Sequence, residues 1–447
     1  MEKKKFSEAM KNTHLSIKAN ENNIYFQNIN INNFENTSNK INELFNDNKE
    51  NSGFGDDNFS IFIKENLQSM IESDNKSNNK FDNCSEEGIN NKSKDKIEKL
   101  KKNIKNELNN ECIERIKIGF NSSKIGNYSY FNSLIQCLAN LPDLVIYFKN
   151  NVNLIKNIKI YPLTFAFFRA IECLLNNSTK NLEKKFLDFI KGVEHCFPFF
   201  KDNKNPIDLF NLLMNKIHKE LNKGKIKDLI KREKADKKNL NEVIQKEIIF
   251  FNHNNDTIIS NLFNIFSKKE IKCLKCNNVF YEMQNYISFD LDVIKTNKKY
   301  KKNILTINDC LNYYISPINK KLICCLCNKY SELVISKNIF SPPNNLVFII
   351  NRNNTSEEKE MMKIKFKYEE NLNISDYIDK KMVEIKTEYI LIGVVAFLLD
   401  KKKYVSFCKN MFDNIWMLYD EDQVNECNYD YIVNSSTPYI LFYKMLE

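Results

Sequence analysis

Hydrophobic positions divide the chain into a helical part and a strand-rich part. From about Ile113 to about Leu221 apolar residues recur at helical spacing, most clearly in "DLFNLLMNKIHKELN" (Asp208–Asn222), whose leucines fall on one face. After Phe250 short apolar runs typical of strands follow one another. These runs are "YISFDLDV", "ELVISKNIF", "NLVFIINR", "YILIGVVAF", "IWMLYD" and "PYILFYKM". Helices first and strands later predict an α+β fold.

The first 92 residues are polar, rich in asparagine and without sustained periodicity, which predicts a mostly disordered extension. One stretch within it, "NFSIFIKENLQSMIES" (Asn58–Ser73), has helical spacing and is either a docking helix or a transient one. Residues 93–112 are predicted to form a helical lead-in, and residues 113–447 to form the folded domain.

Charge and cysteine content narrow the class of protein. The 447 residues carry a net charge of +10, and residues 1–112 contain 17 basic and 19 acidic side chains, so the excess belongs to the folded domain. This excess indicates either an anionic partner or solvated lysines. The N-terminus lacks an apolar signal region, and the apolar run Tyr389–Leu399 is too short to span a bilayer. We therefore expect a soluble protein of the cytoplasm or nucleus, without membrane partners, whose thirteen cysteines are mostly reduced.

Two C-x-x-C pairs predict a structural zinc site. "IKCLKCNN" supplies Cys273 and Cys276, and "LICCLCNK" supplies Cys324 and Cys327, so two tight turns offer four thiolates for tetrahedral Zn²⁺. The neighbouring Cys325 leaves open which sulfurs of the second pair bind. The alternative is a set of reduced, buried thiols without a metal. Because four protein ligands leave no open coordination position, such a zinc would not be catalytic.

The stretch "IGNYSYFNSLIQCL" (Ile125–Leu138) predicts a turn at Gly126 that leads into a helix. Ser129 stands at the predicted N-terminus of this helix, either as a nucleophile or as a residue that caps the helix. Cys137 lies about two turns further on and is expected to face the core.

Six segments, in order, resemble the ubiquitin-specific protease (USP) family of papain-like ubiquitin carboxyl-terminal hydrolases. "GNYSYFNSLIQCLANLPDL" is similar to the family's Cys box, and "NPIDLFNLLMNKIHKELN" to its second box. The two C-x-x-C pairs, "FSPPNNLVFIINR", the "YILIGVVAF"–"KKYVSFCK" region and the final strands follow in the family's order. The resemblance implies a helical thumb, a β palm and zinc-bearing fingers at about residues 262–335. It also implies ubiquitin or a ubiquitin-like protein as partner.

The same resemblance places unusual residues at the catalytic positions. Ser129 takes the place of the nucleophilic cysteine, Lys403 that of the catalytic histidine, and Lys124 that of the oxyanion asparagine. The third position of the triad is retained as Asp420, and Phe397 aligns with an earlier histidine of the family. A lysine is normally protonated and cannot accept a proton, and a serine hydroxyl needs a strong base. The chain has four histidines, and none follows His253.

Three functions remain open from the sequence. The first is a catalytically inactive pseudo-deubiquitinase that binds ubiquitin or a ubiquitin-like protein. The second is a scaffold in a large ribonucleoprotein or protein complex, similar to the inactive USP-like subunit of the splicing tri-snRNP. The third is an active deubiquitinase with a Ser129–Lys403 dyad, which would require burial to keep the lysine neutral. The run "DKKKY" favours a solvated, charged loop instead.

Overall fold

Helices make up the first part of the fold. The computed structural model describes residues 115–121, 126, 128–202, 204–223, 236–352, 364–379, 385–410 and 413–446. Its helices before residue 264 are α1 Ser129–Ala139, α2 Pro142–Asn150, α3 Val152–Ile155, α4 Pro162–Leu175, α5 Leu182–Cys196, α6 Pro206–Lys223, α7 Leu240–Asn255 and α8 Ile258–Phe263. Helices α2, α4 and α6 each begin at a proline, whose fixed φ suits the first turn and whose missing N–H is not needed there.

Helix α1 is the centre of the helical layer, and all eleven of its residues are buried. It packs against α2, α4 and α6 on the helical side and against three strands of the large sheet. Aromatic side chains fill the helical core, where Phe131 of α1 meets Phe189 of α5 edge to face, with ring centroids 5.0 Å apart. The polar Asn132 and Gln136 are also buried, and their partners are described with the site.

Strands dominate the second part of the fold. They are β1 Ile265–Cys273, β2 Val279–Tyr286, β3 Phe289–Asp292, β4 Ile304–Thr306, β5 Ile318–Ile323, β6 Tyr330–Ser341, β7 Asn345–Asn351, β8 Lys365–Lys367, β9 Asn371–Asn373, β10 Glu388–Leu398, β11 Lys403–Lys409, β12 Trp416–Asp420, β13 Gln423–Cys427 and β14 Thr437–Met445. In the described residues three α-helices interrupt them, α9 Val293–Tyr300, α10 Ile307–Ile315 and α11 Tyr429–Ser435.

The large sheet has eight strands in the order β13-β12-β11-β10-β14-β7-β3, with β9 paired to β10. It is antiparallel except for the β3–β7 pair. Strand β10 is continuously apolar because both of its faces are covered, one of them by α1. At Gly393 an added Cβ would lie 3.4 Å from Phe442 and 3.5 Å from the sulfur of Cys137, so glycine allows this close approach.

A second, four-stranded antiparallel sheet has the order β2-β1-β6-β5 and carries both C-x-x-C turns at its far end. At its near end Lys268 of β1 and Asp379 form an ion pair in which both side chains are buried. A backbone bond from Asp379 N–H to Ile339 O, 2.8 Å long, fixes the same junction. The junction therefore ties this sheet to the rest of the fold.

The α+β prediction is confirmed by the order of the elements. The predicted strand "YISFDLDV" is partly wrong, because Asp292 accepts a hydrogen bond from Lys295 N–H, 2.8 Å long, and caps helix α9. The predicted extension (residues 1–92) and lead-in (residues 93–112) lie outside the described residues. No helix in the described part of the chain is long and apolar enough to cross a membrane.

Candidate active site and candidate metal centre

Ser129 is the first residue of α1, as the sequence predicts, and is buried. Gly126, at φ +129°, forms the turn before it. The capping role predicted for Ser129 is wrong. Tyr128 is the N-cap residue, and it supplies no side-chain bond to the helix. The Ser129 Oγ instead accepts a hydrogen bond from the backbone N–H of Tyr404, 3.2 Å away on β11. The hydroxyl thus links α1 to the large sheet.

Lys403 and Asp420 meet beside this contact. Lys403 begins β11 and Asp420 ends β12, and the two strands are antiparallel neighbours. The Lys403 ammonium binds Asp420 Oδ1, and the Nζ of Lys401 lies 2.9 Å from Asp420 Oδ2. Burial raises the pKa of Asp420, but the two ammonium groups lower it more, so its pKa lies below the ordinary value. The carboxylate is therefore charged at neutral pH and has a cation on each oxygen.

Three aromatic rings pack together on the sheet next to Lys403. Phe397 of β10 lies opposite Tyr404 of β11, with ring centroids 5.0 Å apart. Tyr439 of β14 completes the group at 5.2 Å from Tyr404. The position at which the resemblance places an earlier histidine is therefore part of an aromatic cluster.

The described histidines belong to the helical layer. His195 lies on α5, His253 on α7, and His218 on α6. The Nδ1 of His218 is 2.7 Å from the hydroxyl of Thr257, the N-cap residue of α8, so His218 has a structural partner. His14 and Lys124 lie outside the described residues. Ser129, Lys403 and Asp420 thus come together without a histidine on the described strands.

Cys137 faces the core, as predicted. It is 1% exposed, and its sulfur lies 3.8 Å from that of Cys408 on β11. Burial raises the pKa of Cys408 well above the ordinary value. This thiol pair is therefore part of the packing between α1 and the sheet.

A segment that our sequence analysis does not single out holds α1 in place. Residues 116–120 run across the helix, and their carbonyls accept hydrogen bonds from two amide side chains of α1. Gln136 donates to Ile118 O at 3.2 Å, and Asn132 donates to Phe120 O at 2.9 Å. Two amide side chains four apart on a largely apolar helix are the signal that could have revealed this contact.

The same segment supports the turn after Asp420. A Cβ added to Gly119 would lie 1.9 Å from Glu421 O, so the backbones of the segment and the turn are in direct contact. Glu421 has φ +60° in that turn. The hydroxyl of Tyr419 donates to Ile116 O at 2.8 Å. The segment therefore positions α1 and β12 relative to each other.

The four cysteines predicted to bind zinc converge at the far end of the four-stranded sheet. Their sulfurs lie within 4.8 Å of one another, and those of Cys276 and Cys324 are 3.9 Å apart. Thiolates at about 2.3 Å from a tetrahedral Zn²⁺ are about 3.8 Å from each other. The spacing fits a metal of this size, whereas Cys325 is exposed and outside the cluster.

The two turns have the same local geometry. The N–H of Cys273 bonds to Asn278 O at 3.0 Å, and the N–H of Cys324 bonds to Lys329 O at 3.1 Å. The residue after each second cysteine, Asn277 or Asn328, has φ near +55°, which asparagine tolerates better than most residues. Both turns therefore present their sulfurs in the same way.

The electrostatic interactions among the four thiols favour the binding of a cation. The hydrogen bond with Ser331, together with backbone N–H groups, lowers the pKa of Cys273 to about 6. The backbone at Lys329 lowers the pKa of Cys327, but burial and the other three thiols raise it more, to about 11. Four adjacent thiolates repel one another, and a divalent cation would remove this repulsion. These four residues could hold a structural metal ion.

A buried helix packed on an antiparallel sheet, with Asp420 on a strand beside its N-terminus, is the arrangement of papain-like hydrolase folds. The family model described as "Ubiquitin carboxyl-terminal hydrolase" matches residues 120–443. This is more than half of the chain, and the chain therefore belongs to the ubiquitin carboxyl-terminal hydrolase family.

Known proteins agree with this assignment. Ubiquitin carboxyl-terminal hydrolase 13 of Saccharomyces cerevisiae is 26% identical over 209 residues, which cover 42% of this chain and 26% of the yeast protein. The match thus spans about a quarter of that relative. A structure of the yeast SAGA DUB module with mutant Sgf73 has a TM-score of 0.55 and 16% identity, covering 75% of this chain and 70% of the other. The Ubp8/Sgf11/Sus1/Sgf73 module bound to ubiquitin aldehyde has a TM-score of 0.55 and 15% identity, covering 79% of this chain and 75% of the other. These structures confirm the USP fold.

Proposed function

We propose that this chain is a pseudo-deubiquitinase, which binds ubiquitin or a ubiquitin-like protein and does not cleave it. The observation that carries the proposal is the Lys403–Asp420 ion pair beside Ser129. In a working site of this kind, a carboxylate orients a base, and the base removes the proton of the nucleophile. Here the carboxylate binds an ammonium group, which has no lone pair to accept a proton.

The contacts of Ser129 support the same conclusion. Its Oγ accepts the Tyr404 N–H, so one lone pair is directed at the sheet backbone. A Ser–Lys dyad requires a neutral lysine amine that faces the hydroxyl. Lys403 is partly exposed, and its ammonium group is bound by Asp420. We therefore assign no hydrolytic role to Ser129 and Lys403.

Three further assignments belong to this proposal. The four clustered cysteines bind a structural Zn²⁺, which holds the two turns together and takes no part in chemistry. Ubiquitin or a ubiquitin-like protein is the partner, in agreement with a structural neighbour that is bound to ubiquitin aldehyde. The protein acts in the cytoplasm or the nucleus, within a larger protein or ribonucleoprotein complex.

Activity and binding are tested separately. We expect no labelling by a ubiquitin-based electrophilic probe and no turnover of a fluorogenic ubiquitin substrate. We also expect measurable binding of ubiquitin or a ubiquitin-like protein to the immobilised full chain. Turnover that Ser129→Ala abolishes would contradict the inactive assignment. If neither ubiquitin nor a ubiquitin-like protein bound at high concentration, the scaffold function would replace the binding function.

A single substitution separates the missing nucleophile from the missing base. Ser129→Cys introduces a thiol at the N-terminus of α1 and leaves Lys403 on Asp420. We expect no ubiquitin hydrolysis by this variant, because none of the described histidines lies on the strands beside Ser129 to take the proton. Ser129→Ala is the matched control for background turnover. Hydrolysis by the cysteine variant above that background would show that Lys403 can act as the base.

A further inference from the structure

Strand β5 is an edge of the four-stranded sheet, and its outer side is uncovered. The sheet order ends at β5, which pairs with β6 and with no other described strand. Five large hydrophobic side chains near this edge are exposed, including Ile323 at 68%, Tyr330 at 66% and Leu322 at 47%. Leu322 and Ile323 are consecutive and point to opposite faces of the strand. An apolar partner covering only one face would leave the other exposed.

The hydrogen-bonding pattern identifies which backbone groups face outward. Strand β5 pairs with β6 in continuous register, from Ile318 opposite Ile335 to Ile323 opposite Tyr330, without a bulge. The N–H of Cys324 bonds to Lys329 O in the turn that follows. Because antiparallel pairs alternate, residues 322, 320 and 318 bond to β6, and residues 323, 321 and 319 direct their N–H and C=O groups outward. The edge therefore offers three regularly spaced positions to a further strand.

The two segments that form this edge carry only basic charge, and Glu332 of the neighbouring β6 lies opposite Lys321. Residues 272–278 and 318–329 contain five lysines and no acidic residue. The described ion pairs include none of these lysines, which are Lys272, Lys275, Lys320, Lys321 and Lys329. Two of them, Lys320 and Lys321, lie in the middle of β5, one on each face. Cross-strand pairs of opposite charge stabilise a sheet, and like charges oppose it.

We propose that β5 is a docking edge for an extended acidic and apolar segment of a partner protein, which adds to the sheet as a fifth strand. All neighbouring pairs of this sheet are antiparallel, and the added strand continues that pattern. Read from its N-terminus, the segment places apolar residues opposite Ile323 and Leu322 and acidic residues opposite Lys321 and Lys320. A polar and then an apolar residue follow, opposite Asn319 and Ile318. The main chain supplies affinity, and the alternating side chains supply specificity.

None of the described contacts of this edge involves α1 or the Lys403–Asp420 pair, so a failure of peptide binding here would leave the inactive assignment of that site unaffected. The test uses the full chain and a fluorescein-labelled peptide whose centre is Val-Ile-Glu-Glu-Thr-Val. We expect saturable binding by fluorescence anisotropy. Hydrogen exchange should show new protection of the amides of Asn319, Lys321 and Ile323. The amides of residues 320 and 322, which already bond to β6, should change little.

Substitution at Lys321 distinguishes strand addition from simple charge attraction. Lys321→Pro removes an outward N–H without removing a bond to β6, since proline is tolerated at a sheet edge. We expect it to weaken peptide binding about tenfold relative to Lys321→Ala, which loses the charge but keeps the N–H. If Lys321→Pro does not fold, Ile323→Lys at a mostly exposed position takes its place. We expect this variant to weaken peptide binding as well.

Several results would overturn the proposal. Equal binding to Lys321→Pro and Lys321→Ala would exclude main-chain pairing at this edge. Equal binding of a peptide with lysines in place of the glutamates would exclude charge pairing with Lys320 and Lys321. Displacement of the peptide by ubiquitin would assign the edge to ubiquitin. Protection of the same three amides in the free protein as its concentration rises would identify a second copy of the chain as the occupant.

Discussion

Replacement of Asp420 by asparagine tests the arrangement on which the inactive assignment rests. The carboxylate is 5% exposed and binds two ammonium groups, one on each oxygen. Asp420→Asn keeps the shape of the side chain and removes its charge. Lys403 then faces a neutral amide in place of a carboxylate. The variant therefore measures what the ion pairs contribute to stability.

The magnitude follows from the exposure of the two lysines. A hydrogen bond to a charged group contributes about 1.5–3 kcal/mol when it is well protected. Lys403 is 27% exposed and Lys401 is 50% exposed, so solvent screens the second pair more strongly. We expect Asp420→Asn to lower the free energy of unfolding by about 2 kcal/mol at neutral pH, most of it from the Lys403 pair.

Urea unfolding at neutral pH measures this difference, and Asp422→Asn is the matched control. Asp422 lies in the same turn, is exposed, and accepts a hydrogen bond from Asn121 that an amide oxygen can also accept. The control should differ from the unaltered protein by less than about 0.5 kcal/mol. A double-mutant cycle with Lys403→Met isolates the pair, and we expect a coupling energy of about 1 kcal/mol.

The pH dependence has a defined sign. The pKa of Asp420 is lower in the folded state than in the unfolded state, so its stabilisation is fully present above the unfolded value of about 3.9. It is lost as the pH falls through the lower, folded pKa. The difference between the unaltered protein and Asp420→Asn should therefore shrink below about pH 4. A variant as stable as the unaltered protein at neutral pH would refute the argument, because Lys403 would then not be held by Asp420.

Three further predictions concern the metal centre, the supporting segment and the site itself. We expect about one zinc per chain by elemental analysis, lost in Cys276→Ser and retained in Cys325→Ser. Gly119→Ala should lower the free energy of unfolding in urea by about 1–3 kcal/mol, because its Cβ would overlap Glu421 O. Gly192 lies inside helix α5, and its replacement by alanine should not be destabilising, because the added Cβ would lie 3.4 Å from a methyl group of Leu163 on α4. A Ser129→Cys thiol should react with iodoacetamide at neutral pH no faster than an ordinary thiol; much faster reaction would indicate an unrecognised activating group.

The sequence predicts the elements that depend on local patterning. The helical spacing of Asp208–Asn222 corresponds to α6, and the apolar run from Tyr389 corresponds to β10. The two C-x-x-C pairs are local as well, because each turn is built from consecutive residues. Their convergence was inferred from ligand chemistry, which requires four sulfurs around one ion.

Features that depend on distant contacts were not predictable in the same way. Helices α9 and α10 lie within the strand-rich part, and their caps at Asp292 and Thr306 are short polar signals among apolar runs. The Gly119 contact joins residues about 300 positions apart, and no pattern around Gly119 reports it. The bond from Tyr404 N–H to Ser129 Oγ spans 275 positions. Such contacts appear only when the sheet is assembled against α1.

Under the proposed inactive function, the Lys403–Asp420 pair explains how the fold can be kept without a proton-accepting base. A base and its carboxylate normally perform two tasks, proton transfer and attachment of the ends of β11 and β12 to each other. Lysine performs only the second task, because its ammonium still binds Asp420 across the two strands. The Ser129 hydroxyl likewise keeps a contact between α1 and β11 without a thiol. Ser129 and Lys403 thus both maintain the packing at the junction of helix and sheet, and in the proposed pseudo-deubiquitinase neither of them accepts a proton.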